Sequence, residues 1–149
     1  MRFVIQRVNR ASVEVENNII GKIDKGFLVL IGVSDTDTKE IADKMIKKLL
    51  NMRIFSDSDD KMNLSLESIK GGLLLVSQFT LYANCKKGNR PSFGEAGKPA
   101  FANEMYEYII SECKKTDIPV ETGEFGADMK IDLLNDGPVT IILDSDQIC

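Results

Sequence analysis

Histidine is absent from the chain's 149 residues. Without an imidazole there is no Ser-His-Asp triad, no Cys-His dyad and no histidine metal ligand. Any hydrolysis must draw on hydroxyls, carboxylates, lysines, backbone donors or a group on the substrate. Cysteine is sparse: Cys85, Cys113 and Cys149, an odd number with no CxxC. A disulfide framework or zinc knuckle is not expected; three reduced thiols, no metal and no cofactor are. No apolar run approaches the roughly 18 residues of a membrane helix. The opening Met1–Arg7 is too polar and too short for a signal peptide, so the expected location is the cytoplasm. Net positive charge is also missing. The chain carries −4 at pH 7, so a partner bearing phosphates would have to meet a local basic patch.

Two common ligand loops fail on spacing. A calcium loop starting at Asp57 needs Asp or Asn fifth, Gly sixth and Glu twelfth; the chain has Lys61, Met62 and Ser68 there. No Walker motif or GxGxxG appears either.

What is present reads as one globular domain over residues 1–149. Apolar residues make up 43% and charged ones 28%, as in soluble folded chains. Met1–Arg7 and Ala11–Val15 alternate apolar and polar residues, as half-buried strands do. Ile19–Ile23 follows a turn at Asn17-Asn18, and the wholly apolar run Phe27–Val33 suits a strand buried on both faces. Asp37 as N-cap with Glu40 three residues on suggests a helix start. Ile41, Met45, Leu49 and Met52 then recur at helical spacing. Arg53–Phe55 reads as a short strand, Ser56–Lys61 as a loop and Leu73–Val76 as a buried strand. Pro99 suits the first turn of a second helix, with Phe101, Met105, Tyr108, Ile109 and Cys113 on one face. The C-terminal part reads as strand: Ile118–Glu121, Met129–Leu134 and Val139–Asp144. The expected fold is mixed α/β, a curved, largely antiparallel sheet with two amphipathic helices packed on one side.

Three segments carry candidate chemistry. Ser77-Gln78-Phe79-Thr80 places polar groups at the end of a buried strand. That is either an active edge or a strand reaching solvent. Asn135-Asp136-Gly137-Pro138-Val139-Thr140 is either a hairpin turn or, if the Gly-Pro bond is cis, a backbone surface offered to a ligand. Lys86, Lys87 and Arg90 sit with Phe93 in a Gly/Pro loop, which is either solvated or a contact for phosphates and a stacked base.

Together these segments resemble the D-aminoacyl-tRNA deacylase family. The likeness begins with Met1-Arg2, Val4–Val8 and Ala11-Ser12-Val13. It continues through Lys61–Leu66, Ser77–Leu81, Lys87–Phe93, Gly123–Ala127 with Met129, and Asn135–Thr140. It implies a homodimer whose active site lies at the interface. There Ser77, Gln78, Phe79 and Thr80 of one chain would meet a cis Gly137-Pro138 of the other, with Met129 beside the substrate. The Gly137-Pro138 carbonyls would select D-configured or achiral amino acids. The implied partner is aminoacyl-tRNA, contacted by Lys86, Lys87, Arg90 and Phe93, and the reaction is hydrolysis of its ester. Backbone N–H groups of Phe79 and Thr80 are candidate oxyanion donors. Thr80 is either nucleophile or positioning group. With no base in sight, attack by water assisted by the tRNA's own 2′-hydroxyl is the preferred reading. A small hydrolase on other esters and a non-catalytic RNA-binding module are the rival classes.

Overall fold

The computed structural model describes residues 1–149. Its longest elements are two strands, β1 (Arg2–Val15) and β8 (Lys130–Asp144), antiparallel along nearly their whole length. Between them in sequence come β2 (Asn18–Ile23), β3 (Gly26–Gly32), α1 (Lys39–Leu50), β4 (Phe55–Ser56), β5 (Met62–Leu64), β6 (Gly72–Ser77), a 3-10 turn (Phe79–Tyr82), α2 (Pro99–Lys114) and β7 (Val120–Thr122). A short α3 (Ser145–Ile148) ends the chain.

β1 is the hub of the sheet. It pairs antiparallel with β2, β3 and β8, and β3 continues in parallel through β6 to β7. The two expected strands Met1–Arg7 and Ala11–Val15 are one element. No Gly or Pro lies between them, and a register shift between Val8 and Arg10 absorbs the break in alternation. The sheet curls nearly closed. β2 comes so near β7 that a Cβ on Gly21 would lie 2.6 Å from the Thr122 carbonyl oxygen.

The sheet's two faces are unequal. The larger core contains the inward residues Phe3, Ile5, Phe27, Val29 and Ile31 together with the buried stripes of α1 (Ala42, Met45, Ile46, Leu49) and α2 (Ala102, Met105, Tyr106, Ile109, Ile110, Cys113). The smaller core holds only strand residues, among them Val8, Val13, Leu28, Leu74 and Val76. Both long helices therefore pack on one side, as expected. The Tyr106 hydroxyl donates 2.7 Å to the Leu75 carbonyl and ties α2 to β6.

Several boundaries differ from the sequence reading. The N-cap of α1 is Thr38, whose hydroxyl accepts from the Ile41 N–H. Asp37 is buried instead, and its carboxylate accepts from the Ser34 N–H at 2.7 Å and from the α-amino group of Met1 at 2.6 Å. A second turn-forming acceptor next to a cap explains the one-residue error. The strand expected at Arg53–Phe55 is Phe55–Ser56, paired with an unforeseen β5. The strand expected at Ile118–Glu121 is Val120–Thr122, and α3, beyond the last expected strand at Val139–Asp144, was not foreseen.

Candidate active site

The motif at Ser77–Thr80 stands where β6 stops. Ser77 still pairs with Ile31 of β3, and the Gln78 N–H donates 2.8 Å to the Ile31 carbonyl. The chain then turns into the 3-10 segment, in which Leu81 N–H donates to the Gln78 carbonyl and Ala83 N–H to the Thr80 carbonyl. The N–H groups of Phe79 and Thr80 open that turn, where the first donors of a helical segment have no partner inside it. The Thr80 hydroxyl accepts a short hydrogen bond from Gln78 Nε2. No carboxylate or lysine bonds to it.

A cavity of about 770 Å³ opens beside this turn. Ser77, Gln78 and Phe79 form one wall. Phe125, Met129 and Ile131 form another, and Phe93, Lys98 and Ala102 close it from the α2 side. Its lining is mainly apolar with a few polar groups, Asp35, Ser77, Gln78 and Lys98, as in sites for small organic groups.

Phe93 is held against the motif. Asn84 and Ser92 exchange backbone hydrogen bonds of 2.8 and 2.9 Å, which closes the loop between them. The Phe93 ring then meets Phe79 edge-on, centroids 5.0 Å apart. Lys86, Lys87 and Arg90 are exposed on the excursion so closed and enter none of the chain's ion pairs. The loop's far end is fixed by Gly97 N–H to the Val33 carbonyl, 2.7 Å, and Lys98 N–H to the Asp35 carboxylate, 2.8 Å.

Gly137 and Pro138 lie elsewhere. They are not in a hairpin turn, because β8 continues as one strand on both sides of them, and the peptide bond between them is cis. The ladder pairs Gln6 with Thr140 and Val8 with Asn135, so the four residues 136–139 of β8 face the single residue Arg7. The Ser77–Thr80 motif reaches β1 through β3 at the level of Phe3, whereas Gly137-Pro138 flanks its other edge near Arg7. Four residues of strand separate those levels by about 13 Å. The cavity thus gathers Ser77, Gln78, Phe79, Phe93 and Met129. It does not include this chain's own Gly137, Pro138, Thr80, Lys86, Lys87 or Arg90.

Comparison with known proteins decides the family. The model of the D-Tyr-tRNA(Tyr) deacylase family matches residues 4–144. The chain belongs to that family. It is 54% identical over 149 residues to a D-aminoacyl-tRNA deacylase of Thermosipho melanesiensis, covering 99% of each chain. It is 57% identical to one of Clostridium botulinum, covering 97% of each. Among solved structures, a c-Myc DNA unwinding element binding protein superposes with TM-score 0.91 at 40% identity, covering 97% of this chain and 98% of that one. A probable eukaryotic D-amino acid tRNA deacylase shares the fold, with TM-score 0.75 at 20% identity over 95% of this chain and 97% of that one.

Residue reading missed Arg7. It occupies an inward position in the alternation Phe3, Ile5, Arg7 and is 8% exposed. Its Nε donates 3.1 Å to the Asp136 carbonyl, and one terminal nitrogen donates 2.6 Å to the Ile54 carbonyl. The Asp136 carboxylate lies 3.3 Å away. A charge at a core position of a strand always asks for a partner, and that was the available signal. Phe125, Asp35 and Lys98 were missed as lining residues, for only the fold brings them to the cavity.

Proposed function

We infer that this chain hydrolyses the ester joining a D-amino acid to tRNA, releasing free tRNA and the amino acid, a proofreading step in translation. The observation that carries the reading is the family match over residues 4–144, which takes in both motif segments. The cavity at Ser77–Phe79 receives the aminoacyl end. Met129 and Phe93 border it, and Phe93 suits a base to stack on. Water adds to the ester carbonyl carbon, and the N–H groups of Phe79 and Thr80 stabilise the oxyanion that forms. The bond to the ribose 3′-oxygen then breaks, and that oxygen leaves with a proton.

Thr80 positions rather than attacks. Its hydroxyl already accepts from Gln78 Nε2, and a donor does not activate a nucleophile. The neighbouring 2′-hydroxyl of the tRNA supplies the proton relay. Ser77 and Gln78 fix the turn's geometry.

Gly137 and Pro138 complete the site of a second copy of the chain. This reading is supported by their separation from the cavity of their own chain. Their carbonyls exclude L side chains sterically, whatever the chemistry of those side chains. Glycine has no side chain to exclude, so glycyl-tRNA passes the same filter. Lys86, Lys87 and Arg90 meet the tRNA backbone, supplying locally the positive charge that an acidic chain lacks overall. A substrate of the translation machinery suits an enzyme of the cytoplasm. No helix is long and apolar enough to cross a membrane.

The test is release of tyrosine from matched D-Tyr-tRNA and L-Tyr-tRNA. The D form is expected to be cleaved far faster, and equal rates would sink the assignment.

A further inference from the structure

Where β8 detours at residues 136–139, the ladder with β1 loses its rungs. The carbonyl of Arg7 faces the detour, and the carbonyl of Val139 lies at its exit. Both are met by one side chain. Asn135 Nδ2 donates 3.0 Å to the Arg7 carbonyl and 2.9 Å to the Val139 carbonyl. Two carbonyl acceptors require an NH₂ group with both hydrogens used, so only the nitrogen end of the carboxamide can face them. An asparagine that merely makes a turn bonds its own backbone two residues on. Asn135 spans four residues along its own strand and also crosses to the neighbouring one.

We propose that Asn135 is a positioning residue whose carboxamide replaces the missing rungs and fixes the main-chain path that presents Gly137 and Pro138. The inference rests on the reading of those two residues as the chiral filter. Arg7 grips the entry of the detour through the Asp136 carbonyl, and Asn135 grips its exit through Val139. Little slack remains between. Gly137 has φ +126°, and a Cβ there would lie 2.8 Å from Val139 Cγ2 and 3.0 Å from an Arg7 guanidinium nitrogen. A filter that works by excluding a side chain needs a backbone held this firmly.

Asn135→Asp is the informative variant. It keeps the shape but replaces both donors with an acceptor, setting oxygen against two carbonyl oxygens. Asn135→Ala removes the donors without adding repulsion. The readout is the ratio of kcat/KM for D-Tyr-tRNA to that for L-Tyr-tRNA, measured on one preparation so that the folded fraction cancels. Gly137→Ala, which disturbs the filter directly, is run beside them.

The ratio is expected to fall by about tenfold or more in Asn135→Asp, where two carbonyls lose their donor and also face a repelling oxygen, and by less in Asn135→Ala, where they only lose the donor. It is expected to fall in Gly137→Ala as well. An unchanged ratio in Asn135→Asp with a lowered one in Gly137→Ala would overturn the role of Asn135 and leave the filter standing. Unchanged ratios in both would overturn the filter, and this inference with it. Neither Asn135 variant enters the hydrophobic core. If both failed to fold, Asn135 would be holding the sheet rather than the filter, and the proposal would fall on that ground.

Discussion

Thr80 is the residue at which the proposed chemistry, run without histidine, can be tested. Its hydroxyl sits at the opening of a 3-10 turn and accepts a hydrogen bond from Gln78 Nε2, and no base bonds to it. Thr80→Ala is therefore expected to retain substantial turnover. A substrate ending in 2′-deoxyadenosine should instead lose about 10²–10⁴-fold, the usual worth of general acid–base assistance. Rapid cleavage of the deoxy substrate, or a trappable acyl-enzyme, would return Thr80 to the role of nucleophile. The cysteines offer a second residue-level test. Cys113 is fully buried in α2, and burial pushes its thiol up to about 12. Cys85 and Cys149 are exposed. Alkylation of the native protein at pH 8 should label these two and spare Cys113 until denaturant is added. Labelling of Cys113 at the same rate as Cys85 would show that α2 opens readily.

At the scale of elements, what the sequence revealed follows from how local each signal was. The stripes of α1 and α2 and the apolar runs of β3 and β6 rest on periodicity within a dozen residues, and those elements lie where expected. The cap of α1 was misplaced by one residue because Asp37 and Thr38 both suit the position, and only the fold shows Asp37 occupied by Ser34 and Met1. Asn135–Thr140 carries every local sign of a hairpin turn. It is part of a strand because Arg7 and Asn135, from two elements far apart in sequence, hold the detour in place. No local rule contains that information. The Ser77–Phe79 wall of the cavity was legible as polar residues ending a buried strand. Its far wall, Phe125 and Ile131, was not. The loop after Asn84 belongs to this scale too. Replacing Lys86, Lys87 and Arg90 together with alanine should weaken tRNA binding and flatten its dependence on salt by up to about three phosphate contacts. Activity on a short aminoacyl-adenosine should be spared. An unaltered salt slope would mean that the loop is only solvated.

At the scale of the whole molecule, two observations point beyond one chain. Leu30, Val4 and Ile142 sit side by side across β3, β1 and β8 on the outward face, and Ile142 is 65% exposed. An apolar row in that position suits a covering partner. The other observation is the distance between the Ser77–Thr80 turn and Gly137-Pro138 within one chain. If each chain's filter serves its neighbour's cavity, two different lesions must complement. Phe79→Pro removes one oxyanion donor at a turn position that tolerates proline, and Gly137→Val blocks the filter with a side chain. Each homodimer carries its lesion in both sites and is expected to be nearly inactive. In a mixed dimer one site receives both lesions and the other receives neither. Random co-assembly should therefore restore about a quarter of the wild-type rate, since half the dimers are mixed and each holds one intact site of two. Light scattering should report a dimer throughout. A mixture no more active than the two variants apart would mean that cavity and filter meet within a single chain, and the shared site would have to be abandoned.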